Sequence, residues 1–158
     1  MKFKTLKKCC AVVTLAALAA GLTAGCGSQN EADAYKIGIV KLVTHTAADS
    51  ASEGFKQALA DNGLVEGETV FFVEQNGQNE QSNLQSIAQG FISEDVDLIC
   101  AVSTSTAQVM AAATSDIPIV GTAITNDEEE KLVESNEVPG YNVTGTSDKK
   151  KNKKHNFS

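Results

Sequence analysis

Apolar and polar positions follow two rhythms along this chain. From residue 35 onward, short runs of β-branched and aliphatic residues alternate with longer stretches where apolar residues recur every three or four positions. "YKIGIVKLV" (35–43), "TVFFVEQ" (69–75), "VDLICAVS" (96–103), "IPIVGTAI" (117–124) and "YNVTGTS" (141–147) are short, apolar and bounded by polar residues, as strands are. After the first of them Ala51, Phe55, Ala58 and Leu59 fall on one helical face, and Gly63 is a natural stop. After the second, Leu84, Ile87, Ala88 and Phe91 stand at i, i+3, i+4 and i+7, the spacing of an amphipathic helix. "STAQVMAAAT" (105–114) predicts a short third helix with hydroxyl residues at its start, and "DEEEKLVES" (127–135) a weaker fourth.

Strands alternating with helices imply βαβ units, hence an α/β fold with a parallel sheet covered by helices on both faces. The near-continuous apolar strands agree, because parallel strands are buried on both sides. Right-handed crossovers leave few topologies, and a doubly wound, flavodoxin-like order 2-1-3-4-5 is expected. Tryptophan is absent and aromatics make up 5% of the chain, so the core must be aliphatic.

The first 34 residues follow neither rhythm. "MKFKTLKKCC" is a basic stretch, "AVVTLAALAAGL" an apolar run too short to span a bilayer comfortably, and "TAGC" brings small residues up to Cys26. That order is expected of a lipoprotein signal peptide over residues 1–25. Cys26 is then the lipidation site, and 26–34 a polar tether. Thr23 stands where such sequences usually carry leucine. Cys9 and Cys10 would leave with the leader, so Cys100 remains alone in "DLICAV", where it reads as a small buried hydrophobe. No disulfide and no cysteine-based metal site follow from that inventory.

Charge sharpens this division. The 13 lysines include four in the first eight residues and five in 149–154, while residues 27–148 hold four lysines against all 20 acids. A segment that acidic is a poor match for phosphate backbones, so no nucleic-acid partner is expected. The "DEEE" run at 127–130 lacks EF-hand spacing and reads as a solvated helix start.

In a doubly wound sheet, ligands sit beyond the carboxyl ends of the strands. The residues predicted there are Thr44, His45 and Thr46, then Gln75 and Asn76, then Ser103, Thr104, Ser105 and Thr106. Thr122, Thr125 and Asn126 follow, and Ser147 and Asp148 close the row. This rim is made of hydroxyls and amides, with one histidine and one acid but no nucleophile–base pair. "STSTAQ" is its most informative stretch: a helix N-terminus offers free N–H groups and partial positive charge, and the hydroxyls add donors suited to a carboxylate. One of these residues would suffice as an N-cap; four exceed that need. His45 is either a ligand contact or an exposed loop residue. Asp148 would either take a ligand ammonium group or cap a helix. The turn after the first strand carries no GxGxxG and the chain no Walker sequence, so nucleotide binding is not expected, nor any cofactor.

Residues 35–148 resemble the amino-terminal lobe of ABC-transporter substrate-binding lipoproteins of the tryptophan/tyrosine-binding type. "IGIV", "GFKQAL", "VDLI", "DIPIV" and "NVTGTSD" stand in order at that family's spacing. The resemblance implies one lobe of a type I periplasmic-binding-protein fold. It implies a small-molecule solute, with amino acids and especially aromatic ones expected, ABC permease subunits as partners, and no enzymatic activity. With the lipid anchor, it places the protein on the extracytoplasmic face of a bacterial cell membrane. The ligand loops it implies hold Thr44, His45, Ser103, Thr104, Ser105, Thr122, Thr125, Ser147 and Asp148. Threonines flank His45 where the family often has an acid and a proline. After Asp148 the charge changes sign, and 149–158 ("KKKNKKHNFS") reads as a basic tail from a frameshift or premature end, the second lobe being lacking. The alternative is a surface-anchored, one-lobed interaction protein whose tail binds anionic lipid or cell-wall polymer.

Overall fold

A computed structural model describes residues 34–125, 132–135 and 138–147. Within them the chain runs β1 (Tyr35–Lys41), α1 (Thr46–Asp61), β2 (Val70–Asn76), α2 (Gln81–Ser93), β3 (Leu98–Val102), α3 (Thr104–Ala113), β4 (Ile119–Ile124) and β5 (Val143–Ser147). The five strands are all parallel and lie in the order β2-β1-β3-β4-β5. This is the α/β, doubly wound order expected from the alternation.

Because side chains alternate across a strand, each strand supplies both faces of the sheet. Ile37 and Ile39 of β1, with Cys100 and Val102 of β3, pack with Val70 under α1. Val40 of β1, with Ile99 and Ala101 of β3, packs on the other side beneath α2 and α3. From α2 come Leu84, Ala88 and Phe91, and from α3 come Ala107, Val109 and Met110, all buried. Gly38 has no side chain to offer that face, and the Phe91 ring takes the space: a Cβ there would lie 2.8 Å from it.

Two expectations change in detail. Ala58 is exposed, and the buried face of α1 is instead Ala48, Ala51, Phe55 and Leu59 with Ser52 among them. Ser52 is tolerated there because its hydroxyl donates to the Asp49 carbonyl at 2.9 Å, so no polar group is buried unpaired. The fourth helix is not present over residues 132–135, which form a bend and an irregular step; the remainder of that stretch, 127–131, lies outside the described residues. Gly63 does follow the end of α1, in a left-handed conformation (φ 87°) that suits glycine.

β4 breaks its own alternation. Ala123 has φ 54°, and the β4–β5 register shifts between Gly121 and Ile124. The bulge puts Ile124 on the same side of the sheet as Ile119, where its side chain folds over Gly121. It also sets the direction in which the chain leaves β4 toward Thr125.

Candidate functional site

The carboxyl ends of the strands bring Thr44, His45, Asn76, Ser103, Thr104, Thr125 and Ser147 to one edge of the sheet, most of them in two hydrogen-bonded groups, while Asn126 lies outside the described residues. The first joins the ends of β1 and β2. Asn76 donates from Nδ2 to Thr44 Oγ1 at 2.8 Å, while its Oδ1 accepts the Gln78 N–H at 2.8 Å. The N–H groups of Gly77 and Asn79 return to the Lys41 and Leu42 carbonyls, both at 2.8 Å. Gln78 and Asn79 are both left-handed in this turn. His45 is the N-cap of α1: its extended backbone lets Nδ1 accept the Ala47 N–H at 3.2 Å. An accepting Nδ1 puts the proton of the neutral ring on Nε2, which is then a donor. His45 is thus both a cap and an exposed rim residue.

The second group joins β3, β4 and β5. Ser103 is the N-cap of α3, with Oγ accepting the Thr106 N–H and lying 2.8 Å from Thr106 Oγ1. Its backbone is at φ 106°, ψ 157°, a region that costs a residue with a side chain about 1–3 kcal/mol. The conformation is held from several sides: its N–H donates to the Thr122 carbonyl at 3.0 Å, and its own carbonyl accepts the Ala107 N–H. Thr104 Oγ1 accepts the Thr125 N–H at 3.2 Å, and Ser147 Oγ donates to the Thr125 carbonyl at 2.8 Å. Three strand ends are therefore tied by side chains that sequence alone placed merely in the same neighbourhood.

The hydroxyl run divides its labour. Ser103 caps, Thr106 is buried, Thr104 ties α3 to the loop after β4, and Ser105 lines a groove between α2 and α3. A helix leaves its first N–H groups without intrahelical carbonyls. In α3 the cap takes that of Thr106, and among the described residues no partner is seen for those of Thr104 and Ser105, whose position suits an acceptor such as a carboxylate. Thr122 is half-buried, beside Val102 in the parallel register. Asp148 and Cys26 lie outside the described residues. Asn76 is the rim residue most easily undervalued from sequence. Its position after a strand was legible, but its bond to Thr44, 32 residues away, was not.

Cys100 is fully buried in the cluster under α1, and burial pushes its thiol up to about 12, so it is an inert packing group at neutral pH.

A five-stranded parallel sheet in the order 2-1-3-4-5 is the lobe architecture of type I periplasmic binding proteins. The model of the family described as ABC transporter substrate binding protein matches residues 36–156, and the chain belongs to that family. It is 42% identical over 155 residues to a tyrosine-binding protein of Clostridioides difficile (strain R20291), covering 90% of this chain and 45% of that one. Among solved structures it is similar to the ligand-free, open form of a Clostridium difficile substrate-binding protein with adhesive properties, at 47% identity and a TM-score of 0.69. It is also similar to an ABC domain from Streptococcus pneumonia in complex with L-Trp, at 32% identity and a TM-score of 0.69. Each structural match covers 72% of this chain and 38% of the other, so the chain spans less than half the length of these relatives.

Proposed function

We propose that this chain contributes a solute-contacting lobe to the binding-protein component of an ABC importer, with an amino acid, aromatic by preference, as the solute. The observation that carries the reading is the hydrogen-bonded rim from Ser103 through Thr125 to Ser147 in a chain of the substrate-binding family. The α-carboxylate would be received at the start of α3, by the N–H groups of Thr104 and Ser105 and the neighbouring hydroxyls. The exposed His45 supplies a further donor across the rim, and Asp148 is assigned to the ammonium group. The tyrosine- and L-Trp-binding relatives support an aromatic amino acid. The role is capture and delivery, with no bond made or broken, and the partners are the permease subunits. Cys26 is assigned as the lipid-bearing residue that holds the protein to the extracytoplasmic face of the membrane. Membership of a solute-binding family favours this reading over a tail that docks on anionic lipid or cell-wall polymer.

The test is a titration of the isotope-labelled chain with L-tyrosine, L-tryptophan and L-leucine, followed by amide NMR. The expected result is a set of shifts confined to Thr44, His45, Ser103–Ser105, Thr122, Thr125 and Ser147, larger for the aromatic amino acids and abolished in Thr104→Val. Shifts centred away from the carboxyl edge, or no shift with any amino acid at saturation, would overturn it. Substituting Cys26→Ser should move the protein from the membrane fraction to the soluble one.

A further inference from the structure

The backbone fixes which way the Asn76 amide faces. Its Oδ1 lies 2.8 Å from the Gln78 nitrogen, and an amide NH2 could not accept that hydrogen. Nδ2 is therefore the atom turned to Thr44, where it donates to Oγ1 at 2.8 Å. The turn that carries Asn76 is itself held: Gly77 and Asn79 donate to the Lys41 and Leu42 carbonyls, and the Gly77 carbonyl accepts from Asn83 Nδ2 at 3.2 Å. Asn76 is half-buried and Thr44 exposed. A hydroxyl has one hydrogen and two lone pairs. Thr44 Oγ1 receives a hydrogen from Asn76, which offers no lone pair in return, so the Thr44 hydrogen must point elsewhere. Among the described residues no acceptor takes it. An oxygen that already accepts is also polarised into a stronger donor. His45 is set the same way: Nδ1 accepts the Ala47 N–H, so the neutral ring offers its hydrogen from Nε2.

We propose that Asn76 is a positioning residue that sets the solute preference of this rim: by holding Thr44 as a donor, it selects L-tyrosine over L-tryptophan. The inference rests on the solute-binding reading above, with the α-carboxylate received at the start of α3. β2 and β3 flank β1, so their ends stand two strand spacings apart, about 10 Å. The bond from Asn76 holds Thr44 at the β2 side of that interval. An aromatic amino acid lying along the rim from α3 therefore brings the far end of its ring to Thr44 and His45. The phenolic oxygen of tyrosine accepts as well as donates, whereas the indole nitrogen of tryptophan only donates. Tyrosine meets the Thr44 and His45 hydrogens with lone pairs; tryptophan brings a third hydrogen and leaves both unmet.

The experiment is calorimetric titration of the full chain with L-tyrosine, L-tryptophan and L-phenylalanine, in the wild type, Asn76→Asp, Thr44→Val and the double variant. Asn76→Asp keeps the side-chain shape and still accepts the Gln78 N–H. It presents Thr44 with an acceptor instead of a donor, so the hydroxyl hydrogen turns inward and its lone pairs face the rim. The wild type is expected to bind tyrosine about fivefold more tightly than phenylalanine, the size of one net hydrogen bond. In Asn76→Asp the preference for tyrosine over tryptophan should fall by about the same factor. The added charge acts alike on all three zwitterions and cancels in the ratio. In the Thr44→Val background Asn76→Asp should leave the ratio unaltered, whereas a merely structural loss of the turn would weaken all three solutes together. Circular dichroism checks folding; should Asn76→Asp unfold, Thr44→Val decides, since this exposed change should itself remove most of tyrosine's advantage over phenylalanine. A wild type that binds none of the three overturns the solute reading and this inference with it. Binding whose tyrosine-to-tryptophan ratio is unmoved by Asn76→Asp, or moved equally without the Thr44 hydroxyl, overturns the inference alone. So does a Thr44→Val variant that keeps tyrosine's full advantage.

Discussion

On one side of the sheet α1 carries Asp49, Glu53, Lys56 and Asp61; on the other, α2 and α3 carry no charged residue. The difference extends inward. α1 contributes only half-buried apolar side chains to its core, Ala48, Ala51, Phe55 and Leu59, whereas α2 and α3 contribute fully buried ones, Phe91, Leu84 and Met110 among them. What α1 lacks in burial is partly offset by ion pairs with the strands. Lys41 at the end of β1 reaches Asp49 at 2.9 Å and Glu74 at 4.0 Å. Lys56 pairs with Glu74 and, at 3.7 Å, with Glu53, and its ammonium lies 5.3 Å from the centre of the Phe72 ring. Among the described residues, the α2–α3 layer is held by deep apolar packing with side-chain hydrogen bonds such as Thr104 to Thr125 and Asn83 to Gly77, and the α1 layer by shallower packing plus ion pairs. Response to salt and pH should therefore be concentrated at α1, next to His45 and the first half of the rim.

The largest effect expected from this contrast is in the cores. Phe91→Ala removes a fully buried ring and should cost about 3–5 kcal/mol of unfolding free energy in urea titrations. Phe55→Ala, at a half-buried position, should cost about 0.8–1.5 kcal/mol, half of the transfer free energy of full burial. Equal costs would break the comparison.

The next effect is on pH. The Cys100 thiol, ordinarily near 9.0, is pushed up to about 12 by burial under α1. Between those values the folded chain keeps a proton that the unfolded chain has released. Stability should therefore fall as pH rises above 9.0, by up to about 1.4 kcal/mol per pH unit. For Lys56, burial pulls its pKa down, but the hydrogen bond and charge of Glu74, with Glu53 and Glu66, outweigh it and hold the group above its ordinary 10.5. Its contribution is intact below 10.5 and lost as the pH climbs through the raised value, with the same sign. Cys100→Ala should flatten the first part of this decline in denaturation midpoints measured at successive pH values. A slope unchanged in that variant would remove Cys100 from the account.

The smallest effect concerns the ion pairs themselves. Lys56→Met keeps an apolar stem and loses the charge, and should cost no more than about 1 kcal/mol. Its signature is local: amide hydrogen exchange should quicken in α1 and stay unchanged in α2 and α3. High salt should produce the same pattern in the wild type. Acceleration spread evenly over all three helices would show that the two layers open together.

Much of this architecture was legible in the sequence. The five strands, the three helices and their order follow from apolar runs and from the i, i+3, i+4, i+7 spacing at Leu84, Ile87, Ala88 and Phe91, because a buried parallel strand and a half-buried helix have distinct periods. The rim was legible as a set of strand-end residues. What was lost depended on partners distant in sequence or on local backbone choices. Ser52 rather than Ala58 is buried because the docking of α1 on a twisted sheet sets its rotation, and because Ser52 can satisfy its hydroxyl within the helix. Ala123 gives no glycine-like warning of a left-handed bulge, yet the bulge decides which side of the sheet Ile124 occupies.

The sequence by itself determined that residues 35–147 would alternate strand and helix into a parallel sheet, and that hydroxyl and amide side chains would gather at its carboxyl edge. It also determined that α2 and α3 are uncharged, since that is a matter of composition. Only the tertiary structure decided that these two helices lie side by side with a groove between them, while the charged α1 packs on the opposite face. The physical reason is the crossover: each connection carries its helix to one face or the other, and on which side neighbours meet depends on strand order, here 2-1-3-4-5. The same closure joined Asn76 to Thr44 and Thr104 to Thr125, and so turned a row of polar strand ends into a connected rim.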